Sequence, residues 1–597
     1  MTVYNAPVRD MQFVLNEVLD ISRYSNLPGF TEASPDLVEA ILEEGSKLAT
    51  NVLHPINQSG DSEGCTRHED GTVTTPKGLK AAYDQFSEGG WQGLSFDADY
   101  GGQGLPYLLS VVINEMVSGA NMAFGMYPGL AMGAANTILA HGTDAQKQMY
   151  LPKMVSGEWG GTMNLTEPHC GTDLGLLRTK AVPQDDGSFK ISGQKIFISA
   201  GEHDLTDNII HLVLARIEGA PEGTKGISLF IVPKVMVKDD GDLGERNGVS
   251  CGSIEEKMGI HANSTCVMNY DDATGYLIGE EHKGLKAMFT MMNEARLGVA
   301  LQGMAVSDVA YQNAADYARD RTQGRSLTGT KAPEKSADPI IVHPDVRRML
   351  MDQKAFNEGA RHWMYWSALY ADLLHKSGDD TERQTADDYL GLMTPILKAY
   401  LTDKGYAHAT NAQQVLGGHG YVKEWGMEQF VRDARIAMIY EGANGIQALD
   451  LVGRKLMKDG GRAWQTYFKE IDDFIADNQD VEDLKPFTEG LSEAKGRLME
   501  ATQWMGANAM QNFDQAGAGS TDYLHLFALT CLSFSWAQMA KAAVEKRANG
   551  GAGDEFYANK LTTGKYFVER LLPDTAAHLA KIKSGSETMM ALPAEAF

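Results

Sequence analysis

The sequence predicts an α+β protein in which helical blocks precede and follow a β domain. Apolar residues recur at helical spacing from Ser34 to about residue 155, and again from Leu285 to about Lys458. Between Trp159 and Gly279, short runs rich in β-branched residues alternate with turns such as Asp185-Asp186-Gly187. Because 597 residues exceed what one hydrophobic core accommodates, we expect several domains.

The charge balance argues against a nucleic-acid partner. The chain has 53 basic and 79 acidic residues, and its formal net charge of −26 disfavours binding to nucleic acid or to an anionic membrane surface. Its five cysteines are odd in number and scattered, so neither a disulfide framework nor a metal site is predicted. We find no signal-peptide pattern at the start and no apolar run long enough for a membrane span, and we expect a cytoplasmic protein.

Changes in composition divide the chain into five segments. The first is apolar and suited to packing on another surface, and Ser34-Pro35 then supplies an N-cap and a first-turn proline. The break Asp459-Gly460-Gly461 precedes a last helical block, in which residues 516–520 have the composition of a flexible insert. The predicted domains are an N-terminal extension (1–34), an N-terminal helical domain (35–158), a middle β domain (159–280), a helical domain (281–458) and an additional C-terminal helical domain (459–597).

Six short runs carry the prediction of the β domain. They are residues 160–165, 189–191, 195–199, 209–217, 226–233 and 265–270. Turn residues separate them, so we expect a barrel or a sandwich.

One carboxylate stands out in the sequence Tyr440-Glu441-Gly442-Ala443-Asn444-Gly445. The glycines allow the backbone to approach a ligand closely, and apolar residues just upstream would shield Glu441 from water. Such shielding raises the pKa of a glutamate toward that of a usable general base. A glutamate at the start of a helix is also an ordinary partner of the helix dipole, so the pattern alone leaves both roles open.

Two stretches of the β domain could bind a heterocycle and a phosphate. Residues 163–173, Met-Asn-Leu-Thr-Glu-Pro-His-Cys-Gly-Thr-Asp, form a strand end and a turn rich in hydroxyls. Residues 193–199, Gly-Gln-Lys-Ile-Phe-Ile-Ser, place an aromatic ring beside a hydroxyl on one strand. The same residues are also compatible with an ordinary capped turn and a strand with a core phenylalanine.

Together with further motifs in the same order, these stretches resemble the acyl-CoA dehydrogenase family. The other matching motifs are Glu256-Lys257-Met258-Gly259-Ile260, Asn293-Glu294-Ala295-Arg296, residues 319–324, residues 414–421 and residues 432–442. The resemblance covers roughly residues 35 to 455 and is specific because all of the motifs occur in order. It implies an N-terminal helical domain, a middle β-barrel or sandwich domain and a C-terminal four-helix bundle, here with an additional C-terminal helical domain.

The resemblance also implies a homodimer or tetramer with non-covalently bound FAD. The residues implied to contact the isoalloxazine, ribityl chain or phosphate are Met163, Leu165, Thr166, Gly171 and Thr172, with Phe197, Ile198 and Ser199 on the other face of the flavin. Those implied to reach the FAD of a neighbouring subunit are Arg321, Gln323, Gln414, Gly417 and Gly418, with Ala443 and Gly445 beyond the catalytic motif. Those implied to contact the acyl-CoA substrate are Thr172, Asn293, Arg296 and Gly442.

For Glu441, the resemblance implies the role of catalytic base. In the family, such a glutamate removes a proton from Cα of the acyl thioester while a hydride leaves Cβ for flavin N5. An electron-transfer flavoprotein is then the expected electron acceptor. A non-catalytic scaffold is a further alternative, although it would not need both Glu441 and the hydroxyl-rich stretches.

The sequence departs from the family pattern in three places. Gly324 follows Gln323 directly, where the family has an intervening phenylalanine. Ala443-Asn444-Gly445 replaces a hydroxyl and a longer polar side chain, so the hydrogen bonds to the neighbouring FAD must be rearranged. Arg454 lies one position away from a common family arginine and is not assigned its role.

The additional ends indicate a large-subunit branch of the family. From the likeness to that branch we expect a methylthio-propionyl thioester as substrate, in sulfur-compound catabolism. Methionines such as Met122 and Met291 could line a pocket for a thioether chain, or belong to an ordinary core. A short- or medium-chain fatty acyl-CoA of β-oxidation is the main alternative substrate, and an acyl-CoA oxidase, which passes its electrons to oxygen, is the alternative activity.

Overall fold

The computed structural model, which describes residues 2–551 and 555–597, confirms the α+β class. Helices precede and follow the main block of strands, which lies between residues 159 and 278. The chain forms two compact units, one made of Met1–Glu43 with Val299–Phe597 and the other of Glu44–Gly298. The first therefore joins the N-terminal extension to the C-terminal half of the chain.

The N-terminal extension is largely buried. It contains helix α1 (Val8–Gln12) and a π-helical turn over Phe13–Val18. Met11, Phe13, Val14 and Leu15 are fully buried, as their apolar pattern predicts. Helix α2 (Pro35–Leu48) begins at the predicted proline, and Ser34 Oγ accepts from Leu37 N at 3.3 Å.

Helices form the first part of the unit Glu44–Gly298. In chain order this part contains α3 (Asn57–Glu63), the short strands β1 (Thr66–Arg67) and β2 (Val73–Thr74), α4 (Leu79–Glu88), α5 (Tyr107–His141) and α6 (Asp144–Val155). Among the described residues, α5 alone is long and apolar enough to cross a membrane, but 83% of its most apolar window is buried inside the protein. Burial of this kind is typical of a core helix. The backbone of α5 is kinked at Asn121.

The β domain follows in the same unit. Its strands are β3 (Trp159–Asn164), β4 (Lys180–Pro183), β5 (Phe189–Ser199), β6 (Asn208–Ile217), β7 (Ile227–Pro233), β8 (Val235–Val237), β9 (Leu243–Arg246), β10 (Val249–Ile254) and β11 (Thr265–Ile278). Strand β7 pairs with both β6 and β11, and β5 and β4 complete the ring between β11 and β6. Of the two predicted arrangements, a barrel and a sandwich, the structure therefore has the barrel. The predicted runs 189–191 and 195–199 are one strand, β5. Strands β4, β8, β9 and β10 were not predicted.

Long helices form the framework of the other unit. They are α7 (Gly284–Asp320, which begins in the β-domain unit), α8 (Pro344–Lys376) and α9 (Asp380–Val415), followed by the shorter α10 (Gly418–Tyr421), α11 (Met427–Ile436) and α12 (Asn444–Asp450). Helices α7 and α9 touch at two glycines: a Cβ on Gly405 would lie 2.3 Å from the backbone oxygen of Gly303. Only glycines permit this approach.

The additional C-terminal block is helical. It contains α13 (Arg462–Asn478), α14 (Lys485–Ala509), α15 (Phe513–Lys546), α16 (Glu555–Tyr566), α17 (Asp574–Lys583) and α18 (Glu587–Met590). Residues 516–520 lie inside α15, so the predicted flexible insert is wrong. Gly519 is buried where α15 packs against α17, and a Cβ placed on it would make an ordinary contact with Ile582 at 3.5 Å. On α15, Trp536 Nε1 donates to Ala355 O of α8 at 3.1 Å.

Candidate active site

Glu441 lies in a short irregular segment between α11 and α12. Its backbone φ is +56° and that of Gly442 is +85°. The left-handed region costs a residue other than glycine about 1–2 kcal/mol, and it persists where the surroundings determine the backbone. The side chain is half-buried. The segment therefore has a constrained conformation at the predicted catalytic residue.

The backbone of this segment is held by two side chains. Gln447 Nε2 donates to the carbonyl oxygens of Glu441 at 3.1 Å and Gly442 at 3.2 Å. Lys398 of α9, which is fully buried, donates from Nζ to Gly442 O at 2.8 Å and to Asn444 Oδ1 at 2.8 Å. Charged donors make strong hydrogen bonds, so α9 fixes the position of the Glu441 segment.

Asn444 binds α9 with its amide nitrogen. Nδ2 lies within hydrogen-bond distance of Ala399 O at 3.1 Å, Thr402 Oγ1 at 2.9 Å and Asp403 Oδ1 at 2.7 Å. The asparagine that departs from the family pattern is thus used inside its own subunit. The neighbouring Ala443 and Gly445 are exposed, and their contact with FAD stays a prediction.

Tyr440 is tied to α7. Its hydroxyl donates to Gln302 Oε1. Burial raises the pKa of Tyr440 well above its ordinary value, and the charge of Glu441 adds to this effect. Tyr440 is therefore a neutral hydrogen-bond donor at neutral pH. Its hydrogen bond to Gln302 anchors the residue before the predicted base to α7.

The loop after α7 presents Arg321 and Gln323 on the surface. Asp338 organises this loop: its carboxylate accepts from the backbone nitrogens of Ser326 at 2.9 Å, Lys331 at 3.0 Å and Ala332 at 2.7 Å. The hydrogen bonds from these amides, with that from Arg325, lower the pKa of the Asp338 carboxyl to about 2. The backbone adds a further hydrogen bond, in which Gly324 O accepts from Asp338 N at 2.9 Å.

The glycine turn after α9 is similarly well ordered. His419 stacks on Trp425 with ring centroids 4.5 Å apart, and its Nδ1 lies 2.9 Å from the hydroxyl of Tyr317. Gln414, Gly417 and Gly418 are exposed. All of the positions implied to reach a neighbouring FAD are therefore on the surface of this subunit.

In the β-domain unit, a buried ion pair joins the two predicted flavin stretches. Glu167 Oε1 accepts from Lys195 Nζ at 2.8 Å and from Thr179 Oγ1 at 2.6 Å, and Oε2 accepts from Arg178 N at 2.7 Å. Lys195 Nζ also donates to Leu165 O at 3.0 Å. Burial opposes the charge of Glu167, but Lys195 outweighs it and lowers the pKa of the carboxyl. The pair fixes the loop against β5.

The exposed side of this junction fits a flavin. Phe197 has φ +59° and is 60% exposed, and Gly171 and Thr172 are exposed beside the half-buried Met163, Leu165 and Thr166. The Thr265 hydroxyl is buried and has no hydrogen-bond partner among the described residues, and it lies opposite Ser199 in the strand register. An aromatic ring, hydroxyls and turn amides are the groups that bind a planar heterocycle with a phosphate.

Ile198 differs from its neighbours. Its side chain is 2% exposed and belongs to the core of the barrel. Alternation along a strand sends successive side chains to opposite faces, so only the backbone of Ile198 is available on the predicted flavin face. The side chain of Ile198 is therefore not placed to contact a flavin there, and a contact through its backbone stays a prediction.

The helix predicted to face the substrate presents Asn293 at the surface. Arg296 is half-buried, and its guanidinium lies 3.5 Å from Asn293 Oδ1 and 6.0 Å from the ring of Phe289. Between them, Glu294 accepts from Asn136 Nδ2 with both oxygens, at 2.8 and 2.9 Å. Met122, Met126 and Met291 are buried, which is the ordinary core position for methionine.

One group of metal-ligating residues occurs among the described residues. The ligand atoms of Glu167, His169 and Cys170 lie within 4.8 Å of one another. Glu167 already accepts from Lys195, Thr179 and Arg178, so its carboxylate is committed to the ion pair. All five cysteines, which lie in the described residues, are free.

Sequence reasoning missed residues that hold the site, four of which are instructive. They are Lys195, Lys398, Asp338 and Asp403. A signal exists for Lys398, because a lysine inside the apolar run Ile396 to Leu401 is rarely buried without a partner. For Asp338 and Asp403 the sequence shows only polar residues in polar surroundings.

Four acyl-CoA dehydrogenase family profiles match this chain. The N-terminal domain profile covers residues 39–158, the middle domain 162–273 and the C-terminal domain 282–457. A fourth, described as acetyl-CoA dehydrogenase C-terminal like, covers 467–593. The matches together span most of the chain.

The chain is also similar in sequence to proteins that are named as acyl-CoA dehydrogenases. The chain is 41% identical to 3-methylmercaptopropionyl-CoA dehydrogenase of Ruegeria pomeroyi, over 98% of this chain and 99% of the relative. It is 34% identical to the broad-specificity linear acyl-CoA dehydrogenase FadE5 of Mycobacterium tuberculosis, over 100% of both chains. A structure of acyl-CoA dehydrogenase complexed with FAD from Bacillus anthracis has the same fold, with a TM-score of 0.74 and 22% identity over 92% of this chain and 89% of the other.

Proposed function

This chain belongs to the acyl-CoA dehydrogenase family and has its dehydrogenase activity, and on that premise we propose that Glu441 is the catalytic base. The observation that carries this proposal is the constrained segment at Glu441. Lys398 and Gln447 fix its carbonyl groups, and the carboxylate stands at a left-handed backbone position. A base that is held in one place can remove the Cα proton of a bound thioester without first being reoriented.

FAD is the cofactor that the exposed residues of the β domain fit. We assign Met163, Leu165, Thr166, Gly171 and Thr172, with Phe197, the backbone of Ile198 and Ser199, to the flavin. When bound, FAD accepts the hydride that leaves Cβ. The protein's own contribution is to fix, through the Glu167–Lys195 pair, the loop and strand that are assigned to the ring.

For the substrate we propose the 3-methylmercaptopropionyl thioester of coenzyme A, which is oxidised to methylthioacryloyl-CoA. The support is the 41% identity to a relative with that name over nearly the whole chain. A linear short- or medium-chain acyl-CoA is the second candidate, because FadE5 and a butyryl-CoA dehydrogenase of Syntrophomonas wolfei are each 34% identical over the full chain. Asn293, Arg296, Thr172 and Gly442 are assigned to the substrate in either case.

The proposed setting follows from the same family. We assign a cytoplasmic homodimer, with a tetramer as the alternative, and an electron-transfer flavoprotein as acceptor. The exposed positions Arg321, Gln323, Gln414, Gly417, Gly418, Ala443 and Gly445 support the contact with a neighbouring subunit's FAD. The physiological process would be the catabolism of dimethylsulfoniopropionate or, for the second candidate, β-oxidation.

Anaerobic bleaching of the bound flavin tests the activity, the base and the substrate together. The wild-type protein and Glu441→Gln are each mixed with methylmercaptopropionyl-CoA, butyryl-CoA and octanoyl-CoA. We expect fast bleaching of the wild type, most efficiently with the thioether, and a rate lower by at least ~10²-fold in Glu441→Gln. The variant should keep its yellow FAD, because Glu441 is not assigned to the cofactor.

Glu428→Gln is the matched control. Glu428 lies in the first turn of α11, the helix that leads into the Glu441 segment, and pairs with Arg432. The flavin of the Glu428→Gln variant should bleach at the wild-type rate. Rapid bleaching of Glu441→Gln would remove the base assignment, and equal efficiency with all three thioesters would remove the thioether preference. Reoxidation of the reduced wild type by air as fast as by an electron-transfer flavoprotein would favour an oxidase.

A further inference from the structure

The additional C-terminal domain reaches the segment of the catalytic base through a short chain of hydrogen bonds. Asp403 of α9 lies at its centre. Its Oδ1 accepts from Asn444 Nδ2 at 2.7 Å, and its Oδ2 is 3.0 Å from His525 Nε2. His525 belongs to α15, so the contact joins residues 122 positions apart. Asn444 is three residues after Glu441.

Both groups in the middle of this chain are shielded. The side chains of Asp403 and His525 are 21% and 16% exposed. A carboxylate only accepts hydrogen bonds, so Nε2 of His525 carries the hydrogen. The imidazole is held from two further sides: the ring of Tyr400 is 5.2 Å away and that of His578 is 5.5 Å away. His578 in turn bonds Asp522 at 2.7 Å.

Asp403 limits the orientation of Asn444. The asparagine accepts from Lys398 Nζ with its oxygen and donates to α9 with its nitrogen, so its amide is satisfied at both ends. An amide that is fixed in this way sets the first turn of α12 and, through it, the backbone of Gly442 and Glu441. The positive φ of Glu441 costs energy, and it needs such surroundings to persist.

We propose that His525 is a positioning residue for the catalytic base: by donating to Asp403 it fixes Asn444 and thereby the Glu441 segment, and the additional C-terminal domain serves catalysis through this contact. The proposal rests on the assignment of Glu441 as the base. It gives the domain a role in the reaction beyond covering the surface of α8 and α9.

Replacement of His525 separates positioning from simple docking. His525→Leu removes the donor with little change in volume, and His525→Gln places an amide donor near the position of Nε2. Trp536→Phe is the matched control, because it removes a different hydrogen bond of α15, the one to Ala355 of α8, which has no link to the base. The measurements are FAD content, thermal midpoint, substrate affinity and the rate of anaerobic flavin bleaching at saturating acyl-CoA.

We expect the bleaching rate of His525→Leu to fall about tenfold or more, with FAD content and substrate affinity unchanged. His525→Gln should recover most of the rate. Trp536→Phe should lower the thermal midpoint and bleach at the wild-type rate. If His525→Leu does not accumulate as a flavoprotein, His525→Asn, whose shorter amide falls short of Asp403, is compared with His525→Gln in its place.

Three results would overturn the proposal: a wild-type rate in His525→Leu, a failure of His525→Gln to recover activity, or a loss of rate in Trp536→Phe that matches the loss in His525→Leu. Glu441→Gln is measured in the same series. If Glu441→Gln bleaches rapidly, the base assignment fails. If it is inert while His525→Leu is normal, only the positioning role fails.

Discussion

At the scale of single residues, Glu294 shows how burial changes an acid. Both of its oxygens accept from Asn136 Nδ2, which is a neutral donor. Removal from water raises the pKa of Glu294 to about 7. An exposed glutamate has a pKa of about 4.3. The folded protein therefore holds this proton over a range of pH in which the unfolded chain releases it.

Glu294→Gln should change the dependence of stability on pH. Between pH of about 4.5 and 7 the folded state binds the proton and the unfolded state does not, so this group lowers wild-type stability as the pH rises. The glutamine variant lacks that contribution, and its advantage over wild type should grow across this range. Urea unfolding at pH 5, 6 and 8 measures it.

Glu39→Gln is the control for Glu294→Gln, since it changes the charge equally at an exposed position of α2. Parallel stability profiles for wild type and Glu294→Gln would contradict the expectation.

At the scale of elements, the loop between α7 and α8 depends on one carboxylate. Asp338 accepts hydrogen bonds from three backbone amides and from Arg325 Nη1 at 3.1 Å. Arg321 and Gln323 stand at the start of this loop, where Gln323 N donates to Asp338 O at 2.9 Å. This loop, in which Gly324 follows Gln323 directly, is therefore stabilised by polar contacts.

Asp338→Ala should release bound FAD more easily. The loss of the carboxylate leaves the amides of Ser326, Lys331 and Ala332 without their acceptor, and the loop no longer holds Arg321 and Gln323 in place. Gel filtration followed by measurement of the flavin-to-protein ratio tests this expectation. Asp345→Asn, at an exposed position in the first turn of α8, should retain FAD as wild type does. Equal retention by Asp338→Ala would show that the loop does not contribute to cofactor binding.

At the scale of the whole molecule, the N-terminal extension is joined to the C-terminal block. Asp10 forms ion pairs with Arg361 of α8, at 2.5 Å, and with Lys560 of α16. Burial opposes the charge of Asp10, but the two cations outweigh it and lower the pKa of the carboxyl to about 2. Phe13 packs against Phe556 with ring centroids 5.3 Å apart. The two ends of the chain thus stabilise each other.

Asp10→Asn should destabilise this unit by about 3 kcal/mol at neutral pH, because buried cations lose a partner. The pKa of Asp10 is lowered on folding, so its contribution is complete above pH of about 4 and is lost as the pH falls toward 2. The difference between wild type and variant in denaturant midpoint should therefore be smaller at pH 3 than at pH 7.

Asp36→Asn, at an exposed position of α2, serves as the comparison for Asp10→Asn. A difference that stays constant with pH would mean that the ionised form of Asp10 is not responsible.

Much of the architecture follows from local patterns. Helical periodicity and the alternation of β-branched runs predict the α+β class, the start of α2 and the run that became β6. The error at residues 516–520 has a physical reason: glycine lowers helix propensity, but the two glycines here alternate with alanines, which favour a helix, and Gly519 and Ser520 are buried by tertiary packing of α15. Propensity is a weak guide where tertiary contacts supply the stability.

The sequence by itself determined the family and the identity of the predicted base, because the motifs are contiguous and their order along the chain is specific. Only the tertiary structure decided which residues hold the site: Lys195 against Glu167, Lys398 and Asn444 behind Glu441, and His525 beyond Asp403. Each of these contacts joins segments that are distant in the chain. Their pairing depends on how helices and strands pack, and that is not encoded in any local spacing.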